Sequence, residues 1–144
     1  MEYIDSSVVV KWFKREEEHS VEACQLLERI SEQDSEFCSS EWLILELIRA
    51  LVKIDAPKDL LTESGTVLKN MFEIRALNKI AVSSEMVETA KDLIIELNLH
   101  AADAVHLASA IKTKSSVLWT EDEHFHKKAV LDYAKEYKLE IRRL

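Results

Sequence analysis

The sequence predicts an α/β fold, a three-layer α/β/α sandwich around a parallel sheet of short strands. Three observations lead there. Short apolar segments such as Tyr3-Ile4-Asp5 and Ser116-Val117-Leu118-Trp119-Thr120 alternate with longer segments whose apolar residues recur at helical spacing. One glycine, Gly65, and one proline, Pro57, leave few turn formers, so helices joined by short polar connections are expected. A length of 144 residues suits one domain, residues 1–144, with a sizeable core.

Tyr3-Ile4-Asp5 ends a first strand, and Ser6 or Ser7 caps a helix through Val8, Val9, Val10, Trp12 and Phe13. The β-branched run Val8–Val10 would also suit a longer strand; strand, sharp turn and helix is the preferred reading. Lys14 to His19 is a charged link. Ser20 to Gln33 is an amphipathic helix with Ala23, Leu26, Leu27 and Ile30 inward. Glu36-Phe37-Cys38 is a second strand, after which Ser39 or Ser40 caps a helix from Glu41 to Ile54. Pro57 opens a helix from Lys58 to about Leu77, kinked at Gly65. Ile80-Ala81-Val82 is a weak strand or an extended connection. Ser83 caps a helix to about Asn98, with Met86, Val87, Ala90, Leu93, Ile94 and Leu97 inward. Ser116 to Thr120 is a buried strand and Glu121 to His124 a polar turn. Phe125 to Tyr137 is helical, with Ala129, Val130, Tyr133 and Ala134 inward, and Leu139-Glu140-Ile141 is the last strand.

The segment Leu99 to Ile111 sets the chemical question. Its stripe Ala101, Ala104, Val105, Ala108 and Ile111 has helical spacing, and Leu107 and Ala110 make it apolar on nearly every side. Such a helix is buried, yet Asp103 sits in its first turn. An unpaired carboxylate in a dry site costs several kcal/mol or takes up a proton. The helix N-terminus offsets only about 0.3–1 kcal/mol of that.

Three more acidic residues occupy telling positions. Asp5 and Asp122 follow strands at their carboxyl ends, the edge where open parallel sheets bind ligands. Glu46 interrupts the apolar helix Trp42-Leu43-Ile44-Leu45-Glu46-Leu47-Ile48. Carboxylates gathered within a few ångström do not all stay ionised without a cation. A hard ion with oxygen ligands, Mg²⁺ or Mn²⁺, is the expected occupant. Two such ions about 3.5–4 Å apart orient a water and stabilise both oxygens of an in-line phosphodiester displacement. Each acid also has a plain structural reading: Asp5 as a helix cap, Glu46 as a partner of Arg49, Asp103 as a helix N-terminal charge, and Asp122 as a turn residue.

Composition excludes several classes. The net charge of −8 argues against a domain whose main task is gripping phosphate backbones, and suits a basic protein partner. No glycine-rich loop supports nucleotide-phosphate chemistry. No serine has a readable His–Asp partner set for triad hydrolysis. No stretch approaches the roughly 20 apolar residues of a membrane span, and no signal peptide is expected ahead of the first strand. Cys24 and Cys38 lack metal-ligand spacing and are expected as reduced core residues of a cytoplasmic protein.

The motifs Ile4-Asp5-Ser6-Ser7-Val8-Val9-Val10, Glu46-Leu47-Ile48-Arg49-Ala50-Leu51, Ala102-Asp103-Ala104-Val105-His106-Leu107-Ala108-Ser109-Ala110 and Leu118-Trp119-Thr120-Glu121-Asp122 followed by Phe125 resemble, in order and spacing, the PIN domain. Within that family the chain resembles the VapC-type toxin ribonucleases of toxin–antitoxin pairs. The resemblance implies a PIN-like α/β/α sandwich and Mg²⁺-dependent cleavage of single-stranded or loop RNA, with Mn²⁺ as a substitute. It carries the metal-holding and catalytic acids onto Asp5, Glu46, Asp103 and Asp122, and an auxiliary hydroxyl onto Thr120. It also implies a homodimer and a protein antitoxin whose tail, often bearing Arg, enters the acidic groove. In one departure, Lys114-Ser115-Ser116 stands where the family often has a glycine; that affects a helix C-cap, not the site. PIN nucleases of RNA processing or decay, and PIN-like scaffolds that bind protein without catalysis, are the alternatives. The presence of all four acids argues against the scaffold.

Other residues carry weaker readings. His124 and His126 alternate after Asp122 as a transition-metal pair or, more in keeping with a charged helix start, as solvated side chains. His106 is read as a partly buried neighbour of Asp103. Lys11, Lys14, Arg15 and Arg49 are candidate phosphate contacts or surface ion-pair partners. Trp12 and Trp42 stack a base or pack in the core or a dimer contact.

Overall fold

The computed structural model describes residues 1–14, 16–32 and 36–144. Its elements run β1 (Glu2–Ile4), α1 (Ser6–Phe13), α2 (Ser20–Glu32), β2 (Phe37–Ser40), α3 (Leu43–Lys53), α4 (Lys58–Glu73), β3 (Asn78–Ile80), α5 (Ser84–Leu97), α6 (Ala101–Lys112), β4 (Val117–Trp119), a 3₁₀ turn (Glu123–His126), α7 (Lys128–Glu136) and β5 (Glu140–Arg142). The five strands form one parallel sheet in the order β3-β2-β1-β4-β5. Successive strands step outward from β1 to β3, then restart on the other side at β4. β1 and β4 therefore flank the point where the winding reverses, pairing Glu2 with Val117 and Ile4 with Trp119.

Side-chain alternation along β1 divides the core. Tyr3 joins Cys38 and Leu118 under α5, α6 and α7, in a cluster with Met86, Leu93, Leu107, Phe125 and Val130. Ile4 joins Phe37 on the opposite face with Val8, Val9, Leu26, Leu43, Leu47, Leu51 and Leu68 from α1 to α4. This is the expected three-layer sandwich. α6 takes its predicted place as a buried helix: every residue from Asp103 to Ala110 is buried.

Several boundaries differ from expectation, each for a local reason. Asp5, not a serine, caps α1, its Oδ1 accepting from the Ser6 backbone N–H at 2.7 Å. Ser39 and Ser40 do not cap α3. They lie within β2, paired with Lys79 and Ile80, and Ser39 Oγ donates to the Ile4 carbonyl at 2.7 Å. α3 accordingly starts at Leu43 without a side-chain cap. That pairing also draws β3 back to Asn78–Ile80 from the expected Ile80–Val82. α4 ends at Glu73, short of Leu77, and Arg75 adopts a left-handed φ of 60° beyond it. Gly65 lies inside that unbroken helix. The helix expected over Phe125–Tyr137 divides into the 3₁₀ turn and α7. Ser83 caps α5 as expected, accepting from Met86 N–H at 3.2 Å.

Some inward assignments reverse. Val87, Ile94 and Ala129 are exposed, because the buried stripes of their helices are narrower than the apolar runs that contain them, and Ala101 is exposed as the first residue of α6. Cys38 is buried as expected, but Cys24 is exposed, one step off the buried Ala23–Leu26–Ile30 stripe of α2; both are free thiols. The predicted end of that helix at Gln33 lies outside the described residues. Lys114 takes the left-handed position after α6, φ 51°, where the motif comparison expected glycine. Among the described residues, no helix is long and apolar enough to cross a membrane.

Candidate metal centre at the carboxyl edge of the sheet

Asp5 leaves β1 at the reversal of the winding and is almost wholly buried. Its carboxylate is held on both oxygens. Oδ1 accepts from Ser6 N–H, and Oδ2 accepts from Ser7 Oγ and Thr120 Oγ1, each at 2.7 Å. Ser7 Oγ in turn accepts from Glu121 N–H at 2.9 Å, and Thr120 Oγ1 accepts from Asp122 N–H at 3.1 Å. The hydroxyls thus link the end of β1 to the end of β4. Asp122, following β4, uses Oδ1 to accept from His124 N–H at 2.8 Å and caps the 3₁₀ turn.

Asp103 enters from the first turn of α6. It is 8% exposed, and its Oδ2 is buried without a hydrogen bond. The nearest cationic candidate is the exposed His100 ring, with Nδ1 at 3.9 Å. Burial, then the charges of Asp122, Asp5 and Glu46, push the Asp103 carboxyl up to about 6. Asp103 therefore feels the charge of the other three predicted acids. The N-termini of α1 and α6 face the same edge and favour negative charge there.

Glu46 projects from α3 and hydrogen-bonds to His106 Nε2, in place of the predicted pairing with Arg49. His106 is completely buried, not partly, and its partners are Tyr3, Glu46 and Asp5 rather than Asp103. Nδ1 lies 2.8 Å from Tyr3 Oη, and Nε2 lies 3.5 Å from Asp5 Oδ1. Burial opposes a charge on this ring, but Tyr3, Asp5 and Glu46 outweigh it and raise the imidazole well above its ordinary range. Among the described residues, Asp5, Glu46 and His106 form a compact group of possible ligand atoms, all within 4.8 Å of one another.

Sequence reading missed Tyr3 and Ser7 as members of this edge, and set His106 beside Asp103 rather than between Tyr3 and Glu46. The spacing Asp5-Ser6-Ser7 signals local hydrogen bonding to an acid at a strand end. His106, one turn after Asp103 on an apolar helix, was the visible sign of a second buried polar group.

A groove of 520 Å³ opens beside the acids, lined by Ser6, Trp42, Glu46, Arg49, Lys53 and Asp122 among others. Trp42 is 38% exposed there. Trp12 instead donates its indole N–H to the Ala23 carbonyl at 2.9 Å, between α1 and α2. Lys11 and Lys14 pair with Glu17, and Arg15 lies outside the described residues. His126 uses Nε2 on the Thr120 carbonyl at 3.1 Å, and the His124 ring lies 4.6 Å from His100. Neither joins Asp122 in a compact ligand group among the described residues.

Comparison with known proteins places this edge in context. A toxin–antitoxin complex from Klebsiella pneumoniae contains a chain 20% identical, covering 89% of this chain and 92% of that one, with a TM-score of 0.64. VapC20 of Mycobacterium tuberculosis, described as a toxin that cleaves the sarcin–ricin loop, is 12% identical over 88% of this chain and 93% of its own, with a TM-score of 0.71. VapBC2 of Rickettsia felis, solved with a DNA fragment of its promoter, contains a chain 17% identical over 99% of this chain and 98% of that one, with a TM-score of 0.62. At these identities the likeness is one of fold. No curated protein matches the sequence. The family model for the PIN domain matches residues 3–131, from the first strand to the last helix, so this chain belongs to the PIN domain family.

Proposed function

We propose that this protein is a divalent-metal-dependent endoribonuclease, the toxin of a VapBC-type pair, with residues 1–144 acting as one cytoplasmic domain. The observation that carries the reading is the buried, unbonded oxygen of Asp103 among three other acids. A carboxylate oxygen left without a donor in a cluster of like charges fits a hard cation. Asp5, Glu46, Asp103 and Asp122 would hold Mg²⁺, with Mn²⁺ as a substitute. Bound there, the ion supplies charge neutralisation and activation of a water for attack on phosphorus.

The chain's own residues account for the rest. Ser7 and Thr120 fix the Asp5 carboxylate, and Thr120 also ties Asp122 to the same edge. Arg49 and Lys53 line the groove beside Glu46, where they would meet phosphates of a single strand, and Trp42 offers a ring to an unpaired base. The related fold of a toxin that cleaves the sarcin–ricin loop supports an RNA substrate. Related folds in toxin–antitoxin complexes support a protein antitoxin as partner. An Arg-bearing tail of such a partner would suit the acidic edge. A homodimer is the expected assembly.

The test is cleavage of tRNAs, rRNA loops and single-stranded RNA with Mg²⁺, Mn²⁺ or EDTA, by wild type and Asp5→Asn purified identically. Metal-dependent cutting by wild type, lowered at least about 100-fold in the variant, is expected. Equal cutting by both proteins would remove Asp5 from the centre. No cutting by wild type, together with no Mn²⁺ uptake, would favour a protein-binding scaffold.

A further inference from the structure

His106 is buried inside the acidic cluster, yet the reading above gives it no task. We infer that His106 is the positioning residue for Glu46, acting as a fixed hydrogen-bond donor and not as a metal ligand. This rests on the proposed metal centre.

The argument starts at Tyr3. Its phenol oxygen accepts the Ser40 backbone N–H at 2.8 Å; toward His106 Nδ1, also at 2.8 Å, it gives its one hydrogen when the ring is neutral and accepts Nδ1–H when the ring is charged. At the other side of the ring, Nε2 faces the Glu46 carboxylate and lies 3.5 Å from Asp5 Oδ1. A bare Nε2 there would set its lone pair against carboxylate lone pairs. Nε2 therefore carries hydrogen whether the ring is neutral or charged. The compact Asp5–Glu46–His106 grouping resembles a three-ligand site, but the lone pair that a metal would need is taken up by that hydrogen.

The consequence falls on Glu46. Its side chain is 21% exposed on α3 and reaches the site through several rotatable bonds. The His106 donor selects one direction for it, and Tyr3 and Ser40 hold the donor still. β1, β2, α3 and α6 thus each contribute one member of a chain that ends at a carboxylate. Such outer partners typically change metal affinity about 10–100-fold when removed. A nitrogen ligand would move the preference toward ions such as Zn²⁺ or Co²⁺; an oxygen-only centre keeps it with Mg²⁺ and Mn²⁺.

Two measurements test this. ¹⁵N NMR of histidine-labelled wild type, metal-free and then saturated with Mg²⁺, reads the hydrogen on Nε2 directly. It is expected in both states; a bare Nε2 in either would overturn the inference. Mn²⁺ affinity is then compared for wild type, His106→Ala, His106→Gln and Tyr3→Phe. His106→Ala should bind about 10–100-fold more weakly. His106→Gln, whose amide N–H₂ can stand near the Nε2 position, should recover most of the loss. Tyr3→Phe should weaken binding in the same direction by less. If His106→Ala does not fold, the Gln and Phe variants and the NMR still decide. A Gln variant as weak as a folded Ala variant, or unchanged affinity in every variant, would refute the positioning role. No Mn²⁺ uptake by wild type would overturn the metal reading and this role with it. A bare Nε2 with normal uptake would overturn this role alone.

Discussion

Asp103 is the residue whose behaviour is most exposed to measurement. Its carboxyl is raised from 3.8 to about 6 by burial and by Asp122, Asp5 and Glu46. Between those values the folded metal-free protein holds a proton that the unfolded chain has released. From this group, stability therefore falls as pH rises through that window and stays low above it. The full effect is on the order of 3 kcal/mol. Asp103→Asn should stabilise the metal-free protein by about 1–3 kcal/mol at pH 8, and the gain should fade below pH 5. Urea unfolding in EDTA at the two pH values checks both parts. A cation reverses the sign of the comparison. Mg²⁺ or Mn²⁺ should raise the melting temperature of wild type, and of Asp103→Asn far less, with chelation restoring the original order.

At the scale of the element, one face of α3, extended by the Trp42 that precedes it, carries three kinds of chemistry. Trp42, Glu46, Arg49 and Lys53 follow one another at spacings of four, three and four residues, so an aromatic ring, an acid and two cations form a stripe along the groove. Arg49→Ala and Lys53→Ala should weaken RNA binding while leaving Mn²⁺ affinity unchanged. If each removes one phosphate contact, each should also reduce the salt slope of binding by about 0.7. Filter binding across a salt series measures it. α4 offers a stability prediction. A Cβ added at Gly65 would meet Ile48 Cδ1 at 3.7 Å, an ordinary contact, so Gly65→Ala should stabilise the protein by about 0.5–1 kcal/mol in chemical denaturation.

The elements also show where sequence reasoning succeeds and where it fails. α6 was legible because an apolar run without glycine or proline has one reading when buried. Ser83 was legible as a cap because it precedes a clean helical period. Ser39 and Ser40 were not, because a serine before a helix has the same local sequence whether it caps or pairs in a sheet. Only the register with β3 decides, and that contact spans forty residues. Exposure of Val87 and Ile94 follows from how α5 is rotated on α6, which its own sequence does not encode. Of the candidate site, the acids were conspicuous because each interrupts or ends an apolar segment. The ties among them were hidden. Tyr3 reads from the sequence only as a residue of the first strand, and its partner at His106 is 103 residues away.

At the scale of the molecule, the winding reversal between β1 and β4 accounts for where the acids meet. Two strand ends and two helix N-termini share that edge, so acidic residues from distant parts of the chain gather without any specialised loop. A PIN domain with a net charge of −8 makes sense on this plan, because the proposed substrate contacts are confined to one groove and to the ion proposed beside it.

The central strand also comes ahead of the other four strands in chain order. β1 has its outer neighbour β2 early, but its other edge stays bare until β4 has been made, more than a hundred residues later. Asp5 and Glu46 are therefore translated well before Asp122 and the Thr120 hydroxyl that binds Asp5. On the proposed activity, a chain extended only as far as α3 holds two of the four acids, and gains the others and the hydroxyl that fixes Asp5 when α6 and β4 complete the edge.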